Sequence, residues 1–69
     1  MERTSVISSN IASIGYDEES HILEVEFNNG SVYQYSGVPV NEYNNLMGAD
    51  SHGTYLNQNI KPFYPFSKI

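Results

Sequence analysis

The sequence lacks cysteine altogether, which excludes disulfides and thiolate metal sites. It has no apolar run near the roughly 20 residues that a bilayer-spanning helix needs. Its first ten residues, MERTSVISSN, contain no apolar segment of the kind that marks secretion. A cytoplasmic protein is therefore expected. Positive charge is scarce, with three Lys and Arg against eight Asp and Glu, a net charge of −5. Affinity for a phosphate backbone rests on Lys and Arg, so this balance disfavours a nucleic-acid partner. There is no glycine-rich phosphate loop. The two histidines, His21 and His52, lie far apart, and Asp17-Glu18-Glu19 lacks the alternating ligands and glycine of a calcium loop. No metal and no cofactor are expected.

What is present is short and polar in a particular way. At 69 residues the chain makes one domain near the lower size limit for unaided folding. A core that small rarely supplies more than about 3–5 kcal/mol of net stability. Eight asparagines and six tyrosines carry much of the polarity. Asparagine favours turns and caps, and tyrosine combines packing area with a polar tip. The whole net charge of −5 falls in residues 1–34, while residues 35–69 balance Lys61 and Lys68 against Glu42 and Asp50.

Hydrophobic periodicity gives the elements. Ile11 to Tyr16 reads as a first strand. His21-Ile22-Leu23-Glu24-Val25-Glu26-Phe27 alternates, with Leu23, Val25 and Phe27 on one face, as a half-buried strand does. Ser31 to Ser36 forms a third strand. A two-residue Asn29-Gly30 turn would pair Phe27 with Val32 and send Tyr33 and Tyr35 outward. A three-residue turn with Gly30 in the left-handed position pairs Val25 with Tyr33 and Leu23 with Tyr35. Slipping by one residue inverts every side chain, and only the longer turn keeps Gln34 out of the core, so it is favoured. Val40, Tyr43 and Met47 then share a helical face, with Pro39 in the first turn and Gly48 as a left-handed stop. Ser51 is a good N-cap for a second helix from His52 to about Asn59, which Pro62 ends. The expected architecture is α+β: a small three-stranded antiparallel β-meander followed by two short helices packed on one face (β-β-β-α-α), with a wet acidic outer face and an extended aromatic tail.

The order of residues carries a resemblance. Ser8-Ser9 is followed by Ile14 to Asp17, by Leu23-x-Val25-x-Phe27-x-x-Gly30, by Tyr33-x-Tyr35 and by Val38-Pro39. Ser51-x-Gly53-x-Tyr55-x-Asn57-x-x-Ile60-Lys61 completes the series. This resembles the KTSC domain family, named for a C-terminal segment of some lysyl-tRNA synthetases and found also as stand-alone bacterial and phage proteins. The resemblance spans about residues 6–64. It implies an accessory domain with no catalytic residues to transfer, and its synthetase association implies RNA binding.

A functional patch is expected where the second helix begins and the Tyr-x-Tyr rim opens. Its tyrosine members are Tyr33, Tyr35 and Tyr55. Its others are Ser51, His52, Gly53, Asn57 and Lys61. Most have a structural alternative: core packing for the three tyrosines, capping for Ser51, tolerance near the helix end for Gly53, a cation facing the helix dipole for Lys61, and a hydrogen bond to sheet or tail for Asn57. Ser51 and His52 are helix neighbours pointing about 100° apart, so they make a poor catalytic pair. The expected function is a non-catalytic binding module acting through an unidentified protein partner or self-association, because of the acidity. RNA or another nucleic acid is the alternative, and a membrane is not expected.

Overall fold

The computed structural model describes residues 1–69. Strands β1 (Arg3–Ser5), β2 (Ile11–Asp17), β3 (Ile22–Phe27) and β4 (Val32–Ser36) come first. Helix α1 (Val40–Met47) and helix α2 (His52–Tyr55) follow, and α2 runs on into a π-helical turn at Leu56–Ile60. Strand β5 (Phe66–Lys68) closes the chain. All five strands form one antiparallel sheet in the order β1-β2-β3-β4-β5.

The sheet corrects the expected three-stranded meander. The central strands β2, β3 and β4 are the three expected ones, but β1 and β5 extend the sheet on both sides, and β5 comes after the helices. Each added strand has three residues, all exposed, so neither carries an apolar alternation to read. The fold remains α+β.

The β3–β4 register is the one the three-residue turn dictates. Val25 faces Tyr33 and Leu23 faces Tyr35. Phe27 N donates to Ser31 O at 2.8 Å, and Gly30 takes a φ of +91°, which a side chain would resist. In β2 an irregularity between Ile11 and Ser13 lets one extra residue pass. Ile11 and Ile14 are three apart, an odd spacing that would put them on opposite faces of a regular strand. The bulge puts both on the inner face.

The core holds nine buried apolar residues: Ile11, Ile14, Leu23, Val25 and Tyr35 from the sheet, Val38, and Leu46, Leu56 and Ile60 from the helical segment. Each such aliphatic side chain contributes about 1.5–3 kcal/mol of burial. The helical segment thus packs on part of one sheet face. Leu46 is the buried residue of α1, whereas Val40 is 42% exposed. Gly48 ends α1 at φ −90°, ψ 0°, in the right-handed region, so the expected left-handed stop is absent.

The outer face is not simply wet. Gly15 on β2 lies under the N-terminal segment, where an added Cβ would meet Glu2 O at 2.7 Å and Arg3 Cγ at 3.0 Å. That closeness delivers Arg3 Nη1 to Glu24 Oε2 at 2.5 Å, and Gln34 Nε2 donates to Glu24 Oε1 at 2.9 Å. Glu24 is only 7% exposed as a result. Ser13 Oγ donates to Glu26 Oε1 at 2.8 Å.

Candidate functional site

The β3–β4 register and the arrival of β5 assemble four aromatic rings at one end of the inner face. Phe27 and Tyr33 meet edge to face at 5.6 Å, Tyr33 and Phe66 lie 5.5 Å apart, and Tyr35 and Phe66 lie 5.9 Å apart. The helices do not reach over this end. An open cleft of about 360 Å³ lies there, with Lys61 at its edge. Tyr35 forms its floor and is 2% exposed, and its burial pushes the phenol pKa up.

A second cleft of about 330 Å³ adjoins the first and shares Phe27, Asn29 and Lys61 with it. Its other polar members include Asn10, Asn28 and Asn57. Three local features shape it. Asn28 Nδ2 donates to Ser8 O at 3.2 Å and Ser9 O at 2.9 Å, which ties the N-terminal segment to the hairpin. Ser8 Oγ accepts from the Asn10 and Ile11 amides at 3.3 Å, which turns the chain into β2. Gly53 supplies bare backbone to the wall, where a Cβ would come within 3.5 Å of Asn10 Nδ2. The Asn10 and Asn57 side chains are exposed to solvent at this cleft.

Charge is distributed unevenly around the clefts. Neither is lined by any of the eight carboxylates, and both are lined by Lys61. The Lys61 ammonium sits 5.4 Å from the Phe27 ring centroid, a cation–π distance. Lys68 is the cross-strand partner of Tyr33, so it projects from the same sheet face. Arg3 is committed to Glu24 instead.

Five of the eight expected patch residues line the clefts: Tyr33, Tyr35, Gly53, Asn57 and Lys61. Ser51, His52 and Tyr55 do not. Ser51 Oγ accepts from Thr54 N at 3.2 Å as the N-cap of α2. His52 Nδ1 donates to Leu46 O at 2.8 Å and anchors α2 to α1. Tyr55 OH donates to Glu42 Oε1, and Tyr64 OH reaches Glu42 Oε2 at 3.4 Å, which ties both helices and the tail together. The hydrogen bond to Glu42, with burial behind it, raises the Tyr55 pKa; burial first and then Glu42 raises that of Tyr64. Asn57 faces the cleft rather than the sheet or tail. Asn10, Phe27 and Phe66 were not among the expected members. Asn10 reads as a strand-entry turn and Phe66 as tail; the β2–β3 pairing and Asn28 bring Asn10 beside Phe27, and the added strand β5 brings Phe66.

No three His, Asp or Glu side chains come together as metal ligands would. No helix is long and apolar enough to cross a membrane.

This is a small α+β domain whose antiparallel sheet is packed by helices on part of one face and left open at an aromatic end. Comparison with known proteins gives it a family. The KTSC domain matches residues 7–64. A protein of Stutzerimonas stutzeri is 47% identical over 62 residues, which is 90% of this chain and 87% of that one. The crystal structure of a KTSC domain protein from Yersinia pestis superposes with a TM-score of 0.93 at 42% identity, covering 99% of this chain and 96% of the other. A lysine–tRNA ligase of Nostoc punctiforme is 34% identical over 59 residues, which is 86% of this chain but 10% of the ligase. The chain belongs to the KTSC domain family.

Proposed function

We propose that this domain is a non-catalytic cytoplasmic binding module and that its working surface takes single-stranded nucleic acid. The observation that carries this reading is the local charge. A chain of net charge −5 has two adjoining clefts lined by no carboxylate, with Lys61 at both. Lys68 stands on the same face. Aromatic rings on an open sheet face stack bases at about 1–3 kcal/mol per base, and lysines meet phosphate. The kinship with part of a lysine–tRNA ligase agrees with an RNA setting. The acidic outer face makes a weaker docking surface than its charge implies, because Glu24 and Glu26 are hydrogen-bonded within the sheet.

A protein partner is the second reading. It is favoured by the acidic turn after β2, where Asp17 and Glu18 border a wide depression of about 560 Å³ that also exposes Tyr16 and Tyr43.

Titration of the labelled protein with short single-stranded RNA at about 50 mM salt tests the first reading. Binding is expected, and Lys61→Glu should weaken it about tenfold or more with an unchanged circular dichroism spectrum. An absence of binding, or equal binding by Lys61→Glu, overturns it. Loss of a captured protein partner on Glu18→Lys would favour the second reading.

A further inference from the structure

The two clefts differ in chemistry while sharing a wall. One is built of rings: Phe27, Tyr33, Tyr35 and Phe66. The other is lined by uncharged amides: Asn28 and Asn29, already hydrogen-bonded to backbone groups, and the exposed Asn10 and Asn57. Carboxamides offer both donors and acceptors and carry no charge. They match a neutral planar ligand with alternating donors and acceptors, such as the edge of a nucleobase, where Asn pairs in bidentate fashion. Phosphate would find no cation among them except at the shared boundary. That boundary is Lys61, whose ammonium stands over the Phe27 ring common to both clefts.

We infer that the clefts are two halves of one dinucleotide site: one base stacks on the aromatic rings, the next enters the amide cleft, and the connecting phosphate lies at Lys61. This rests on the nucleic-acid reading above and adds a division of labour. The aromatic half accepts any base, because every base has a π-face. The amide half discriminates, because Asn10 and Asn57 hydrogen-bond to a base edge. Gly53 belongs to the same half: a side chain there would project toward Asn10 and narrow the space for the base edge.

The test compares ribonucleoside monophosphates with the corresponding dinucleotides, read by NMR shifts of the asparagine side-chain amides and the aromatic rings. Joining two half-sites makes the second contact intramolecular, so the preferred dinucleotide should bind at least about tenfold more tightly than either monophosphate. Its binding should move the amide signals of Asn10 and Asn57 together with the ring signals of Tyr33 and Phe66. Asn57→Ala removes an exposed side chain in favour of a better helix former, so its fold should persist. That variant should lose the dinucleotide advantage and the base preference, and the monophosphates it still binds should shift only the ring signals of the aromatic half. A dinucleotide no tighter than a monophosphate, shifts confined to the rings, or an unaltered base preference in Asn57→Ala each overturn the inference and leave the single-strand reading intact. Failure of every nucleotide and RNA to bind sinks both. Filling of the amide cleft by a neutral disaccharide in place of nucleotides would also overturn the assignment.

Discussion

Glu24 shows how much one residue here depends on its neighbours. It alternates with Val25 on a strand and reads in the sequence as part of a solvated acidic face. Instead, Gln34 and Arg3 hold its carboxylate against the sheet. The Gln34 hydrogen bond first, and then the Arg3 contact, lower its pKa despite the opposing effect of burial. A carboxyl with a lowered pKa in the folded state contributes stability above its unfolded value, near 4.5, and loses it as pH falls through the folded value. Urea midpoints measured from neutral pH downward should therefore drop below about pH 4.5. Glu24→Gln should flatten part of that fall. The flattening is partial, because Asp17 also has a lowered pKa through its Ser20 hydrogen bond. An acid limb identical in wild type and Glu24→Gln would show that the pair contributes nothing. Arg3→Ala should cost about 1–3 kcal/mol at neutral pH, since it strips a charged hydrogen bond from a buried carboxylate.

At the scale of elements, the legible parts are those with a strong period. The alternation of β3 and the glycine at position 30 specify the central hairpin down to its register. Ser51 and Pro62 bracket the second helix. The edge strands escape such reading for a physical reason. Arg3–Ser5 and Phe66–Lys68 hold their places through backbone pairing and single side-chain contacts, not through a buried stripe. The π-helical turn escapes too, since nothing in Leu56–Ile60 departs from an ordinary helical pattern. The candidate site inherits these gaps. Tyr33, Tyr35, Gly53, Asn57 and Lys61 are visible within recognised elements, whereas Phe66 depends on an edge strand and Asn10 on the segment that Asn28 pins. The β1 attachment can be tested at Gly15. Gly15→Ala drives a Cβ against the backbone oxygen of Glu2, which cannot swing away as a side chain would. A loss of about 1–3 kcal/mol is expected. Hydrogen exchange should show β1 losing protection before β3 and β4 do. Unchanged stability and a protected β1 would refute the close-approach argument.

For the whole molecule, the net charge is a poor guide to any one surface. Carboxylates stand at the acidic turn, on the outer face and between the helices, while the open aromatic end of the inner face presents Lys61 and Lys68. Two cations set a limit on salt sensitivity. Release of counterions from a single strand scales at about 0.7 per neutralised phosphate, so the logarithmic salt slope of RNA binding should not exceed about 1.4. A slope several times steeper would mean a larger basic footprint than this chain has. Tyr35 gives the open end a second significance. Its ring is a member of the hydrophobic core and also the floor of the aromatic cleft. A ligand seated there covers the edge of the hydrophobic core, and at about a hundredfold excess over its Kd it adds about 2.7 kcal/mol. In a domain whose core supplies only about 3–5 kcal/mol, that is more than half of the native stability again. The same smallness that leaves no deep cavity makes this protein's melting temperature a sensitive gauge of occupancy, so that cargo and conformational lifetime rise and fall together.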